Sequence, residues 1–165
     1  MQVRTALLFS VLALGACTPR QPPPRPAPAP PPPPVAVTPE EEAAAVRRRA
    51  ETAFDRGISL ARQSRWGEAA EAYRQSTELQ PREPRYHMAL AEALLQGGRE
   101  GEAADALQAG IRAEEALPRP NHRVLAVDYE RLIRLLTRLN RLDEARVAQD
   151  RQNQHRRARD QAPPR

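Results

Sequence analysis

Residues in the middle of this chain recur at a spacing of 34, and that recurrence constrains the fold more than any other feature of the sequence. A shift of 34 places Gly57 on Ala91, Leu60 on Leu94, Gly67 on Gly101, Ala69 on Ala103 and Tyr73 on Leu107. Small positions stay small and large apolar positions stay large. A period of this length is that of a helix–turn–helix repeat. Composition agrees with helices. From Glu40 onward the chain is rich in Ala, Arg and Glu and has only five aromatics, Phe54, Trp66, Tyr73, Tyr86 and Tyr129, which favours small-residue helix packing over sheets. The stretch holds about 120 residues, enough for one modest core but not for two domains. An all-α fold is expected.

The recurring residues resemble the tetratricopeptide repeat. In that pattern, small residues at fixed positions of both helices let an antiparallel pair approach closely, and large ones fill the space between layers. The first copy, 50–83, matches with Gly57, Leu60, Ala69, Tyr73, Ser76 and Pro81, and departs from the pattern at Ala53 and Arg56. The second, 84–117, matches with His87, Leu90, Ala91, Leu94, Ala103, Leu107 and Gly110. A third, 126–159, follows about eight extra residues around Pro118-Arg119-Pro120-Asn121 and carries Tyr129, Leu132, Leu136 and Ala145. It departs at Ile133 and Gln149, and a polar outer helix is what the last unit of a stack needs, since nothing packs on it. The resemblance implies an antiparallel helix-pair solenoid of about three repeats. Gly98, Asn140 and Ser64 stand where the first helix of each pair must end on a left-handed residue, Ser64 being the least comfortable choice.

Upstream of the repeats the chain changes character. Arg4, an apolar run from Ala6 to Ala16 and then Cys17 have the layout of an export signal, and the run is too short to span a bilayer, which takes about 20 residues. Leu14-Gly15-Ala16-Cys17 resembles the bacterial lipoprotein lipobox. That resemblance implies cleavage after a signal peptide of residues 1–16, acylation of Cys17 and a mature chain that starts there. The competing interpretation is an ordinary secretory signal with an incidental cysteine. A lone cysteine in an exported chain cannot form an internal disulfide, and two or three acyl chains would hold it to a membrane essentially permanently. In the family's sorting rule, Thr18 in place of aspartate points to the outer membrane, on its periplasmic face.

Twelve of the 18 prolines fall between Pro19 and Pro39, so residues 17–38 are expected to form a disordered linker. In polyproline II it would reach roughly 60 Å at about 3.1 Å per residue. Thr38-Pro39-Glu40-Glu41 is then a strong helix start, with a hydroxyl cap, proline in the first turn and a glutamate placed to close a capping box. The helical domain is expected over 39–159 and a flexible tail over 160–165.

The resemblance also implies a groove lined by the first helix of each pair. The matching positions are Phe54, Ile58 and Arg62 in the first copy, Arg85, Met88, Glu92 and Leu95 in the second, and Arg134 and Arg138 in the third. Apolar anchors with charged flanks suit a protein or peptide partner, here one in the cell envelope. The helix from Pro39 to Arg49 either lies in this groove over Phe54, Ile58 and Met88 or extends the first helix. The lysine and asparagine clamp by which chaperone-binding members grip a C-terminal carboxylate has no counterpart at these positions.

Charge is uneven. Glu40 to Glu115 carries 11 arginines against 15 acids, whereas Pro118 to Arg165 carries 12 against six, and the chain has no lysine. The basic C-terminal third could hold the domain to an anionic envelope polymer or lipid, which is the alternative to an adaptor role. An exported lipoprotein meets no nucleic acid. Catalysis finds little support: His87, His122 and His155 are scattered, and there is no phosphate-binding glycine loop. No catalytic residue, metal or cofactor is expected.

Overall fold

A computed structural model describes residues 38–161. The expected leader, Cys17 and the linker up to residue 37 lie outside the described residues, as do 162–165. Six helices follow one another: α1 (Pro39–Arg62), α2 (Trp66–Leu79), α3 (Pro84–Gln96), α4 (Glu100–Glu115), α5 (His122–Arg138) and α6 (Leu142–Gln161). Among the described residues there is no strand, and no helix is long and apolar enough to cross a membrane. The helices pack as three hairpins, α1 with α2, α3 with α4 and α5 with α6, and successive hairpins touch through α2 on α3 and α4 on α5.

The helix starts follow local chemistry. Thr38 Oγ1 accepts the Glu41 N–H at 3.2 Å while the Glu41 carboxylate accepts the Thr38 N–H at 2.8 Å, which closes the capping box expected from the sequence. Pro39 and Pro84 stand in the first turns of α1 and α3, where a missing N–H costs nothing. Asn121 caps α5 by accepting the N–H groups of Arg123 and Val124.

Each hairpin turns in the same way. Ser64, Gly98 and Asn140 have φ of 58°, 73° and 58°, so all three anticipated positions are left-handed. The next residue is an arginine whose N–H reaches back to a leucine carbonyl: Arg65 to Leu60 at 3.0 Å, Arg99 to Leu94 at 2.8 Å and Arg141 to Leu136 at 2.9 Å. The left-handed residue itself donates to Ala61, Leu95 or Thr137. These are the two bonds of a Schellman ending, and they satisfy carbonyls that the helix leaves open.

The same arginines then organise the next helix. Arg65 forks onto Glu68 at 2.7 and 2.5 Å, Arg99 onto Glu102 at 2.7 and 2.7 Å, and Arg141 onto Glu144 at 2.6 and 2.7 Å. Each glutamate lies in the first turn of its helix, where negative charge is favoured. The guanidinium hydrogen bonds hold these three carboxyls below their usual range. Acidification through that range therefore loosens the clasps, because a depressed folded pKa means stability lost as pH falls. All six groups are exposed or nearly so, so the clasps fix geometry more than they stabilise.

Ties between hairpins use the same turns. Arg99 approaches Glu71 of the preceding outer helix at 3.6 Å, and Arg141 approaches Asp105 at 2.8 Å. Arg74 adds a second tie to Glu102 at 3.2 Å. On α6 the residue corresponding to Glu71 and Asp105 is Val147, 63% exposed, so the ladder of arginine–acid ties has no receiving group for a further unit. Otherwise α6 buries only Ala145, Ala148 and Gln152, which is the polar terminal helix expected from the sequence.

The core is built from the recurring positions. Tyr73 and Leu107 are 5% and 3% exposed, and Leu60, Leu94 and Leu136 are buried beside Ala69, Ala103 and Ala145. Gly57 is a true close approach: a Cβ there would lie 2.5 Å from Tyr73 Cε1. In the third hairpin Gln152 replaces the small Ser76 and Gly110, and its buried amide donates to the Ala126 carbonyl at 2.9 Å.

Two boundaries differ from expectation. The eight extra residues between the second and third copies do not all form a loop: two lengthen α4 relative to α2, four lengthen α5 relative to α3, and two lengthen the connection. The third unit therefore begins at His122 rather than Ala126, because Asn121 supplies a cap there. At the other end α6 runs through Gln161, past the expected start of a flexible tail at residue 160.

Three substitutions test this packing and its turns. Gly57→Ala should lower the free energy of unfolding in denaturant by about 1–3 kcal/mol, since the rigid Tyr73 ring cannot yield. Gly110→Ala should cost less, because the nearest atom to its Cβ, at 2.9 Å, is the mobile Met88 Cε. Ser64→Gly should raise stability by about 0.5–1 kcal/mol, by relieving a left-handed serine on the surface.

Candidate functional site

Helices α1, α3 and α5 share one face of the stack, tied by side chains that cross between hairpins. Arg85 of α3 donates to Glu51 of α1, 34 residues away, and Arg131 of α5 donates to Glu92 of α3 at 3.0 Å. Arg138 reaches Glu100 at 3.3 Å. This is the face on which the sequence places its groove residues.

The structure sorts those residues into two groups. Phe54 is half-buried between Tyr73 and Tyr86, with ring centroids 5.4 and 5.0 Å away, and Arg85 covers both Phe54 and Tyr86 at 5.2 and 4.8 Å. Aromatic pairs and guanidinium stacking of this kind join hairpins. Met88 leans on Gly110 of α4, and Ile58 packs against the core. Phe54 and Met88 are thus half-buried within the stack rather than offered as free anchors, and Arg85, although exposed, is engaged by Glu51 and the two rings.

The second group faces an open recess of about 550 Å³ between α3 and α5. Its apolar base is Leu95, Leu107 and Leu135, and Arg131, Arg134 and Arg138 stand around it. Arg134 is the freest of the three, with only a loose 3.8 Å approach to Glu130. Glu92 braces the recess through Arg131 and the Gln96 amide. Arg62 is exposed at the end of α1. Thr137, which the repeat pattern also turns to this side, lines the recess as well, and so does Arg131, which the pattern gave no reason to select.

The helix from Pro39 to Arg49 does not fill this face. It is the first half of α1, continuous to Arg62, and a single helix cannot fold back over its own later turns. The sequence alternative in which it extends the first helix is the one observed.

A polar chain links the last three helices. Tyr129 donates to Glu115 at 2.8 Å, His155 Nε2 meets the same carboxylate oxygen at 2.9 Å, and His155 Nδ1 lies 3.0 Å from His122 Nδ1. His122 and His155 are therefore not scattered, as the sequence suggested: the turn added at the start of α5 brings His122 against α6. Burial, followed by the bond to Glu115, pushes the Tyr129 hydroxyl well above its ordinary range. Among the described residues no group of three His, Cys, Asp or Glu side chains has the arrangement of a metal site. His87 sits at a packing position and bonds through Nε2 to the Pro81 carbonyl at 2.9 Å.

A family model described as tetratricopeptide repeat matches residues 54–118. That stretch is similar to tetratricopeptide repeats, and its helices pair as such repeats do. The matched stretch runs from Phe54 in α1 to just past the end of α4, and the third hairpin lies beyond it. Repeats of this family generally mediate protein–protein interaction. No curated protein matches the chain.

One buried acid in the third repeat unit gives a pH test. Burial raises the Asp128 carboxyl above its usual range, with Glu114 adding to the rise and Arg131 opposing it. A raised folded pKa means the ionised form is disfavoured in the fold, so this group costs stability at neutral pH and the cost fades on acidification. Asp128→Asn should raise the denaturation midpoint at pH 7, with the gain shrinking as pH falls into the carboxylate range.

Proposed function

We propose that the protein is a membrane-anchored periplasmic adaptor that uses the α1–α3–α5 face of its tetratricopeptide repeats to hold a protein or peptide of the cell envelope. The α3–α5 recess carries the reading: an apolar base in Leu95, Leu107 and Leu135 edged by three arginines offers a seat for an apolar anchor and donors for its polar flanks. Anchoring rests on the lipobox resemblance at Cys17, and the outer membrane on Thr18. The proline-rich run would hold the repeats away from the bilayer. The role is non-catalytic and needs no cofactor.

A structural tether is the second reading, favoured by the exposed arginines of α6: Arg146, Arg151, Arg156, Arg157 and Arg159. Anionic lipid or envelope polymer would be its ligand.

Two measurements test the proposal. Growth with a palmitate analogue should label the protein, and Cys17→Ser should abolish the label; an unlabelled but normally exported protein would remove the anchor. Affinity purification from crosslinked envelopes should recover a specific partner that Leu95→Glu and Arg134→Glu both lose by tenfold or more. Release of everything bound by moderate salt, with no effect of Leu95→Glu, would favour the tether.

A further inference from the structure

The outer layer holds a second cleft, between α4 and α6, that neither the repeat family nor the α1–α3–α5 face accounts for. The seam between these helices is tied at its start, where Arg141 meets Asp105, but it lacks the second tie of the preceding seam. Arg74, which reaches Glu102 there, corresponds to Gln108 here. Past the single tie a cleft of about 330 Å³ opens over α5. Its floor is apolar: Ile111, Leu132 and Ala148 are buried, and Val147 stands 63% exposed at its side.

Polar groups around the cleft are unequal. Glu144 is taken by the Arg141 fork, and Glu115 accepts from both Tyr129 and His155. Asp143 lies in the first turn of α6, where the helix end favours its charge. Arg112 and Arg151 also line the cleft, and among the described residues neither forms an ion pair or a side-chain hydrogen bond. Other arginines of the outer seams, Arg74, Arg99 and Arg141, are all paired. The unpaired charges at this cleft are therefore two guanidinium groups against the one carboxylate of Asp143, set over an apolar floor.

We propose that the α4–α6 cleft binds a small amphiphilic anion, with its acid group held by Arg112 and Arg151 and its apolar body on Ile111, Leu132 and Val147. The volume lies at the lower end of the range for small-molecule sites, roughly 300–1,000 Å³, which suits a short chain or one ring better than a folded partner. Planar guanidinium forks match carboxylate geometry.

Octanoate is the probe, titrated into the full-length protein at low ionic strength and followed by NMR and calorimetry, with acetate and octanol as controls. Saturable octanoate binding that moves the Val147 and Tyr129 resonances is expected, with acetate and octanol each at least tenfold weaker. Arg112→Gln with Arg151→Gln should weaken octanoate at least tenfold. Val147→Asp changes an exposed residue and so should leave the fold intact, as circular dichroism would check, while its carboxylate repels the probe and abolishes binding. The proposal is overturned by no saturable binding, by octanol binding equally well, by resonance changes confined to other regions, or by affinity unchanged in Val147→Asp. Equal loss of octanoate and octanol in the double arginine variant would show a merely structural role for the arginines and would also refute it.

Discussion

The backbone bond from an arginine N–H to a leucine carbonyl five residues earlier sets the geometry on which the rest of this fold depends. It closes the first helix of each hairpin, requires a left-handed residue just before the arginine, and aims the arginine side chain at the first turn of the next helix. The fork onto a glutamate then fixes where that helix starts. Because the unit occurs at Arg65, Arg99 and Arg141, the three hairpins share one bend, and their small residues meet at the same depth. The arginines of the second and third turns reach back to an acid of the hairpin before, so one side chain serves the bend, the helix start and the stacking.

Much of this was legible in the sequence, because it depends on residue size and backbone freedom at fixed spacing. The left-handed positions and the buried Tyr73 and Leu107 could be placed by comparing copies, and the cap at Thr38 from its own local motif. What escaped depends on contacts between distant residues. An arginine three places before a glutamate reads as solvated surface, and nothing local shows that Arg141 also meets Asp105, 36 residues earlier. His122 and His155 looked unrelated because the third copy was counted from Ala126, which left His122 outside it. Asn121 instead starts α5 one turn early and brings the rings together.

The groove residues show a different limit. A repeat pattern identifies which positions face a given side, but not how much of each side chain the neighbouring hairpin consumes. Phe54 and Arg85 face that side and are engaged with each other and with Tyr86, whereas Leu95 of α3 and Arg134 of α5 line an open recess. The third hairpin joins the stack through a longer connection and a longer α5 than the second does. Both open features of the molecule, the α3–α5 recess on one layer and the α4–α6 cleft on the other, border that same hairpin.

Amide hydrogen exchange at Arg65, Arg99 and Arg141, measured residue by residue by NMR, tests the repeated turn most directly. Protection at all three comparable to that of the helix interiors, despite their place at the surface, is the result predicted. Exchange at the rate of an open loop at two or more of them would contradict it.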